Sequence, residues 1–254
     1  MIIKQGKADK LKYVALSTRA EMGALAADDI AAEIRRQLAE KYEINMIFAA
    51  APSQNDVLAS LAARGDIDWS RINAFHMDEY IGLPADAPQG FGNFLKNAIF
   101  GKVPFKSVNL IDSTATDPEK ECARYAALLA AHKCDIIVMG IGENGHIAFN
   151  DPHVADFNDS KSVKTVSLDE ICRQQQVNDG CFARIEDVPK YAITLTVPTL
   201  VAPEAAFCIV PAKTKAQAVK NTLCGEAGAK CPATALRGHP HATLYLDAES
   251  SALI

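Results

Sequence analysis

Short apolar runs of strand length alternate with longer segments of helical periodicity, and this alternation most limits what the chain can fold into. Residues 44–50, 72–76 and 135–140 are runs of strand length. Residues 19–42 and 119–131 place apolar side chains at helical spacing. Strands that alternate with helices predict a doubly wound, mostly parallel sheet with helices on both faces. The expected fold class is therefore α/β.

The same alternation continues to the end of the chain. Residues 191–197, 206–210 and 242–246 are further predicted strands, and residues 213–223 form a predicted helix. The first long helix has a start signal, because Thr18 is followed three residues later by Glu21. No linker-like or repeated segment divides the 254 residues. We expect a single domain spanning residues 1–254.

Charge and hydropathy exclude several classes of partner. The formal net charge is −5 and no block of Lys and Arg is present, so a nucleic-acid partner is not expected. No run of about 18 apolar residues could span a membrane, and the first residues lack the apolar core of a signal peptide. Seven scattered cysteines without a CxxC pair predict reduced thiols. These features predict a soluble, cytoplasmic protein.

Three loops follow the predicted buried strands, at residues 51–55, 77–83 and 140–152. In doubly wound sheets, ligands bind beyond the carboxyl ends of the strands, where loops turn into helices. The polar residues of these three loops are therefore expected to converge on one pocket.

Two adjacent carboxylates, Asp78 and Glu79, directly follow the second of these strands. Carboxylates at such a position suit general-base catalysis. The alternative is structural, with Asp78 capping a loop and Glu79 exposed to solvent.

A glycine-rich segment, residues 140–145, follows the third strand and matches the GxGxxG pattern of dinucleotide-binding proteins. That pattern normally opens a helix, whereas this segment reaches Pro152 within seven residues. The glycines are better explained as a tight turn that presents His146 to the pocket. With Asn144 and Asp151 close in sequence, His146 is suited to proton transfer. The alternative is a structural histidine.

Metal and phosphate sites are two further hypotheses. A metal site would have to be assembled from dispersed residues: His76, Asp78, His146, Asp151 and His153. Because these residues lack HExxH-type spacing, no metal or cofactor is expected. Lys213 and Lys215 follow a strand and open a helix, where a cation and free backbone N–H groups favour phosphate. The alternative is that both lysines lie on the surface.

Residues 75–84 and 140–152 together resemble the two signatures of the glucosamine-6-phosphate deaminase (isomerase) family. Residues 188–192 and 236–240 also resemble family segments, in the same order. The related 6-phosphogluconolactonases share the fold. The resemblance implies ring opening and aldose–ketose isomerisation with loss of ammonia, without a metal or organic cofactor. It also implies that Asp78 is the base acting at C2 and C1, and that His146 assists ring opening.

The chain departs from the family pattern around the histidine. Family enzymes usually have an aspartate at the position of Asn144 and a glutamate at the position of Asp151. Because an asparagine cannot stabilise an imidazolium by charge, His146 is expected to depend on Asp151 or on Glu143. The residues assigned to catalysis are then the following: Asp78, Glu79, Asn144, His146 and Asp151.

The implied phosphate site also departs from the family pattern. The family's Thr/Ser-Gly-Gly-Thr-Pro-like loop corresponds to residues 50–54, in which Pro52 has no N–H to donate. Lys215 matches the family's phosphate-binding lysine, whereas the family's arginine falls near Gly180. The predicted substrate- and phosphate-binding residues are Ala51, Pro52, Ser53, Gln54 and Lys215, with Arg173 or Arg184 as replacements for that arginine.

Three functional hypotheses follow. The first is an amino-sugar-phosphate deaminase or isomerase acting on glucosamine 6-phosphate or a related hexosamine phosphate such as galactosamine 6-phosphate. The second is a 6-phosphogluconolactonase-like hydrolase, in which His146 activates water toward a lactone. The third is a sugar-phosphate-binding protein without catalysis. The partner in each case is a phosphorylated sugar, and a homo-oligomer stays open.

Overall fold

An eight-stranded sheet runs through the centre of the computed structural model, which describes residues 1–254. Its strands, in spatial order, are β1 (Ile2–Ala8), β2 (Leu11–Leu16), β11 (Ala242–Leu246), β10 (Ala205–Val210), β7 (Ile136–Met139), β3 (Ile44–Phe48), β4 (Ile72–His76) and β6 (Ser107–Asn109). Only the β1–β2 pair is antiparallel; every other neighbouring pair is parallel. The predicted α/β class with a mostly parallel sheet is confirmed.

The chain forms seven α-helices, and those over the predicted segments 19–42, 119–131 and 213–223 begin and end close to the predicted positions. The seven helices are α1 (Arg19–Glu40), α2 (Asn55–Ala62), α3 (Phe91–Leu95), α4 (Pro118–Ala131), α5 (Glu170–Asn178), α6 (Val197–Leu200) and α7 (Ala216–Cys224). A π-helical turn, Lys96–Phe100, continues α3. The Thr18 hydroxyl accepts a hydrogen bond from the N–H of Glu21 at 3.1 Å, which confirms the predicted start of α1. None of these helices has both the length and the apolar character of a membrane span.

Both faces of the main sheet are buried, as parallel strands require. Side chains alternate along β7, so that Ile136 and Val138 pack on one face and Ile137 and Met139 on the other. Helices α1, α2 and α3 cover the first face, and α4 and α7 cover the second. The carboxyl ends of the central strands β3 and β7 are left to form a cleft.

A second, three-stranded sheet corrects the sequence-based picture. It consists of β5 (Asp78–Tyr80), β9 (Tyr191–Leu195) and β8 (Val163–Ser167), all antiparallel. The predicted loop at 77–83 therefore begins as a strand. The predicted strand at 191–197 ends at residue 195 and lies outside the parallel sheet. Strands β1, β2, β6 and β8 and helices α3, α5 and α6 were not predicted. Asp78 is consequently held by the second sheet.

Candidate active site

A cleft opens at the carboxyl ends of β3 and β7 and contains the residues that sequence analysis selected. The space between its lining atoms amounts to about 520 Å³, open solvent included. Ser53, Asp78 and His146 line it together. The three predicted loop regions therefore do converge on one pocket.

Two glycines give His146 its position. A Cβ atom built at Gly142 would lie 2.1 Å from Cε1 of the His146 ring, so only glycine leaves room for the imidazole. Gly145 has φ +85°, a backbone conformation that side chains with a Cβ disfavour. The carbonyl of His146 also accepts from the N–H of Gly142 at 2.9 Å. The predicted tight turn that presents His146 is confirmed.

A hydrogen-bond network behind the ring fixes the orientation of His146. Its Nδ1 lies 2.8 Å from Oδ1 of Asn144 and 3.0 Å from Oδ1 of Asp151. The amide of Asn144 donates from Nδ2 to Asp151 at 3.0 Å and to Asp169 at 3.1 Å. Because Nδ2 must face these two carboxylates, Oδ1 of Asn144 must face the histidine.

This network assigns the tautomer of His146. Two acceptors surround Nδ1, so Nδ1 carries the hydrogen and Nε2 presents a lone pair to the cleft. Burial raises the pKa of Asp151, but the hydrogen bond and charge of His146, with bonds from Asn144 and Asp169, outweigh burial and hold that pKa below its ordinary value. Asp151 is therefore ionised. Of the two supporting carboxylates considered from the sequence, Asp151 and Glu143, the structure places Asp151 against the ring.

Asp78 is the carboxylate that faces the cleft. It is only 6% exposed and makes no side-chain hydrogen bond to the protein. Burial, and secondarily the charge of Glu79, holds the pKa of Asp78 well above its ordinary range. A desolvated carboxylate without protein partners is a strong base once it loses its proton. Its position on the cleft wall agrees with the role that the resemblance implies.

Glu79 points the other way, which corrects its assignment to catalysis. Successive strand residues face opposite sides, and the Glu79 carboxylate accepts hydrogen bonds from three backbone N–H groups, those of Tyr80, Phe91 and Gly92, at 2.8–3.0 Å. Glu79 does not line the cleft. It joins β5 to the first turn of α3 and thereby places Phe91, which does line the cleft.

Lys215 also lines the cleft, from the turn Lys213–Lys215 that precedes α7. It is 5% exposed and its Nζ has no partner in the protein. Burial lowers the pKa of Lys215, although the charges of Asp179 and Glu143 partly oppose that shift. Lys213, by contrast, lies exposed on the surface. The structure therefore selects Lys215 as the cleft cation.

The loop after β3 supplies the wall beside Lys215. Ala51, Ser53 and Gln54 line the cleft, but Pro52 does not. The Pro52 carbonyl instead accepts a hydrogen bond from Arg19, which draws it toward α1. The prediction that Pro52 lines the binding site is therefore wrong, whereas its neighbours do line the cleft.

Neither proposed replacement for the family arginine reaches the cleft. The guanidinium of Arg173 donates to the carbonyls of Ile185 and Val188, so it holds the backbone that follows α5. Arg184 lies on the surface and pairs with Asp187 at 2.8 Å. The sequence placed both arginines near the right segment but could not tell which way their side chains point. Lys215 is the one lysine or arginine that lines the cleft.

Helix α5 and the residue that follows it contribute three cleft residues that sequence analysis missed: Gln175, Gln176 and Asp179. Gln175 accepts from the N–H of Glu143 at 2.8 Å and donates to Asp179 at 3.3 Å. The helix is polar and lacks apolar periodicity, so the pattern that revealed the other helices is missing. Its one signal is Asp169, whose side chain caps the first turn by accepting from the N–H of Cys172.

The dispersed metal set does not assemble in full. His76 is fully buried in the main sheet, where its Nε2 accepts from the N–H of Ile111 at 2.8 Å, and burial lowers its pKa to about 3. Two tighter groups of side chains do lie within ligand distance of one another, each containing Asp151: His146, Asp151 and Cys172, and Asp151, His153 and Asp169. In both groups, Asp151 is already committed to the network of Asn144.

The comparisons with protein families and sequences agree with this geometry. Residues 17–245 match the family model described as glucosamine-6-phosphate isomerases/6-phosphogluconolactonase. A glucosamine-6-phosphate deaminase of Listeria innocua is 35% identical over 230 residues, which cover 91% of this chain and 96% of the relative. A glucosamine-6-phosphate deaminase of Bacillus cereus is 37% identical over 190 residues, covering 75% of this chain and 71% of the relative.

Solved structures show the same fold. A monomeric glucosamine-6-phosphate deaminase superposes with a TM-score of 0.86 at 28% identity, covering 96% of this chain and all of the other. A 6-phosphogluconolactonase from Thermotoga maritima superposes with a TM-score of 0.77 at 20% identity, covering 94% and 100% of the two chains. At that identity the second likeness concerns the fold alone.

Proposed function

The chain belongs to the glucosamine-6-phosphate isomerase/6-phosphogluconolactonase family, and from this premise we propose that it is an enzyme that deaminates and isomerises glucosamine 6-phosphate. The overall reaction converts this sugar and water to fructose 6-phosphate and ammonia. The observation that carries the proposal is the joint presence of Asp78, His146 and Lys215 in the lining of one cleft. This chemistry needs a base that removes a proton from carbon, a group that assists ring opening and a cationic side chain that binds the phosphate.

Ring opening is the step assigned to His146. The lone pair on Nε2 removes the proton of the sugar's C1 hydroxyl while the ring C–O bond breaks, which leaves an aldehyde at C1. The imidazolium that forms is stabilised by the ionised carboxylate of Asp151. It then returns the proton to the former ring oxygen at C5.

Isomerisation is the step assigned to Asp78. Its carboxylate removes the proton from C2 of the open-chain sugar while the C1 oxygen takes a proton from the ammonium group on C2, which forms an enolamine at C1 and C2. The resulting carboxylic acid then protonates C1. The product carries an imine at C2, and water replaces the imine nitrogen to release ammonia. A desolvated carboxylate with a raised pKa holds the transferred proton well between these two steps.

The raised basicity of Asp78 favours this reaction over lactone hydrolysis. A lactonase needs one group that activates water, and His146 with Asp151 would suffice for it. A second, buried carboxylate without protein partners has no task in that reaction. Proton transfer at carbon, in contrast, needs a base that is not hydrogen-bonded away.

Ammonia release is the test. Purified protein incubated with glucosamine 6-phosphate should release ammonia and fructose 6-phosphate in equal amounts, and Asp78→Asn should lower kcat about 10²–10⁴-fold. Asp86→Asn, in the exposed loop after β5, is the matched control and should keep full activity. Hydrolysis of 6-phosphogluconolactone above the buffer rate, without ammonia release, would replace this proposal with the lactonase hypothesis.

The setting of the enzyme is part of the same proposal. We place it in the cytoplasm because its free cysteines suit a reducing compartment and its curated relatives bear the names of metabolic enzymes. A homo-oligomer remains a proposal that light scattering of the purified protein tests directly. One solved relative is a monomer.

A further inference from the structure

The end of the cleft around Lys215 holds one positive and one negative side chain. Asp179, the residue after α5, lines the same cleft as Lys215, and its carboxylate accepts a hydrogen bond from Gln175 at 3.3 Å. The titratable groups that act on Lys215 are Asp179, Glu143 and the Cys172 thiol. A phosphate dianion entering here would meet one cation and the carboxylate of Asp179.

The amide of Gln54 adds a second constraint. Its Nε2 donates to the carbonyl of Ile209 at 3.2 Å and to the hydroxyl of Ser53 at 3.0 Å. Because a carbonyl can only accept, the Nε2 end must face Ile209, and the amide cannot flip. Its Oε1 is then a fixed acceptor, fully buried and without a partner, on a residue that lines the cleft.

The cleft therefore contains one buried donor and one buried acceptor that the protein leaves unpaired, Lys215 Nζ and Gln54 Oε1. Unpaired buried polar groups are unfavourable, so a well-matched ligand satisfies both. Such a ligand must accept a hydrogen bond from the lysine and donate one to the glutamine. A phosphate dianion only accepts, whereas a phosphate monoanion carries one O–H and does both.

We propose that the substrate's phosphate binds as its monoanion, with its O–H donating to Gln54 Oε1, an unprotonated oxygen accepting from Lys215, and Asp179 repelling the dianion. This inference rests on the proposed function, since it concerns the phosphate of that substrate. Asp179 is a specificity-determining residue in this scheme. The protein thus selects a protonation state as well as a sugar.

The scheme predicts that binding takes up a proton near neutral pH. The second pKa of a phosphate ester is about 6, so at pH 7.5 the free ester is almost entirely dianionic and must gain a proton to bind. Affinity should then fall about tenfold for each pH unit above that pKa. Asp78 and His146 are the other titratable groups of the cleft. Because Asp179→Asn leaves both unchanged, a change in proton uptake in this variant is not due to their substitution.

Calorimetry with glucitol 6-phosphate, which has no C1 aldehyde and no amino group to react, measures this uptake. Titrations at pH 7.5 in two buffers of different ionisation enthalpy should show close to one proton taken up per ligand bound. Asp179→Asn should reduce the uptake to less than half and tighten binding at pH 8.5 about tenfold. Asp187→Asn, on the exposed turn after α5, removes the same charge outside the cleft and should match the wild type.

Two further ligands test the need for an O–H. Glucitol 6-sulfate has the charge of the monoanion without its hydrogen, and at pH 6 it should bind at least tenfold more weakly than the phosphate. Equal affinity for sulfate and phosphate would overturn the donor role of the ligand. Unphosphorylated glucitol binding as tightly as its 6-phosphate would show that a sugar hydroxyl occupies the site, and would also overturn the proposal.

The outcomes separate this inference from the proposed function. Ammonia release with no proton uptake on binding of the phosphate would refute the monoanion and leave the deaminase intact. Proton-coupled binding that Asp179→Asn abolishes, without ammonia release from any hexosamine 6-phosphate, would refute the deaminase and leave the monoanion site. Failure of the wild type to bind glucitol 6-phosphate at any pH from 5 to 8 would overturn the inference.

Discussion

The two functional regions of the cleft are built in opposite ways. Around His146, each polar atom behind the ring has a partner: Nδ1 contacts Asn144 and Asp151, and the Asn144 amide donates to Asp151 and Asp169. Around Lys215, in contrast, the ammonium group and Gln54 Oε1 are buried without partners. The first region is complete before substrate arrives, and the second is completed by substrate.

The difference follows from what each region does. A group that moves protons must hold one tautomer and one orientation, and a closed network supplies both. A group that recognises an anion gains most when its own hydrogen bonds are formed only with the ligand. Substitutions in the closed network should therefore affect turnover, whereas substitutions in the open region should affect binding and should also stabilise the free protein.

The largest expected effect is at the centre of the closed network. Asp151→Asn removes the charge that stabilises the imidazolium of His146 and should lower kcat about 10²–10³-fold, with KM changed less than threefold. Steady-state kinetics of ammonia release measure both constants. Asp156→Asn, an exposed aspartate five residues later, should leave both unchanged. An equal loss in kcat and in binding of glucitol 6-phosphate would break the division between the two regions.

Lys215→Met should show the opposite pattern. Loss of a charged hydrogen bond to phosphate, about 2–3 kcal/mol, should lower kcat/KM for the phosphorylated sugar about 100-fold, mainly through KM. The folded state holds the Lys215 pKa below its ordinary value, so it binds fewer protons than the unfolded state. The free variant should consequently be more stable than the wild type at neutral pH, and this advantage should shrink as pH rises toward the ordinary lysine pKa.

Thermal melts at pH 7 and at pH 9.5 test the stability part of that prediction. Lys213→Met, on the same turn but exposed, is the matched control for both kinetics and melting. A Lys215→Met protein that melts below the wild type at neutral pH would show that the ammonium group is satisfied in the free enzyme, and the contrast between the regions would disappear.

Asn144→Asp should damage the closed network although it restores the residue usual in the family. The new carboxylate would face Asp151 and Asp169, both of which now accept from the Asn144 amide. Repulsion among three carboxylates should destabilise the fold by about 1–3 kcal/mol at pH 7.5. The loss should diminish toward pH 5, where one carboxylate takes up a proton.

Melting temperatures at the two pH values measure this effect, with Asn158→Asp on the exposed loop after Asp151 as the control. A variant as stable as the wild type at pH 7.5 would show that the network tolerates an aspartate. The asparagine would then be a neutral replacement and not a partner of Asp169.

The smallest expected effect is a gain in stability in Asp78→Asn. Burial raises the pKa of Asp78 in the folded protein, so between its ordinary pKa and that raised value the folded state binds more protons than the unfolded state. The protonated Asp78 side chain is therefore tolerated in the folded protein below its ordinary pKa. Stability is then lost as the pH rises from that ordinary pKa to the raised pKa of the folded state. The inactive variant should therefore melt a few degrees above the wild type at pH 7.5, with no difference near pH 3.5. Asp86→Asn should show no gain at either pH.

The parallel sheet was predictable because each of its central strands is a buried apolar run, and such runs stand out in any chain. The second sheet was not predictable in the same way. Strand β5 has only three residues, two of them carboxylic acids, and its strand character comes from pairing with β9 across more than a hundred residues. Long-range pairing of this kind overrides local propensity.

The cleft shows the same limit. Asp78, His146, Asp151 and Lys215 were identified because they follow strands or resemble family signatures. The directions of Arg173 and Glu79 depend on carbonyl and N–H groups more than ten residues along the chain, which no spacing rule reveals. Helix α5 carries its functional residues on a polar helix without periodicity. Its contribution to the cleft could therefore be recognised only from the structure.

The carboxylate of Glu79 has a consequence for how ligands enter and leave. By accepting from Phe91 and Gly92 at the start of α3, it fastens the far end of the loop that begins at β5, so residues 81–90 are tied at both ends. The Phe91 side of the cleft is therefore a fixed wall. Beside α5, in contrast, Asp179 is partly exposed to solvent. In the proposed scheme, the residue that selects the protonation state of the phosphate therefore lies where an entering sugar can first contact the cleft.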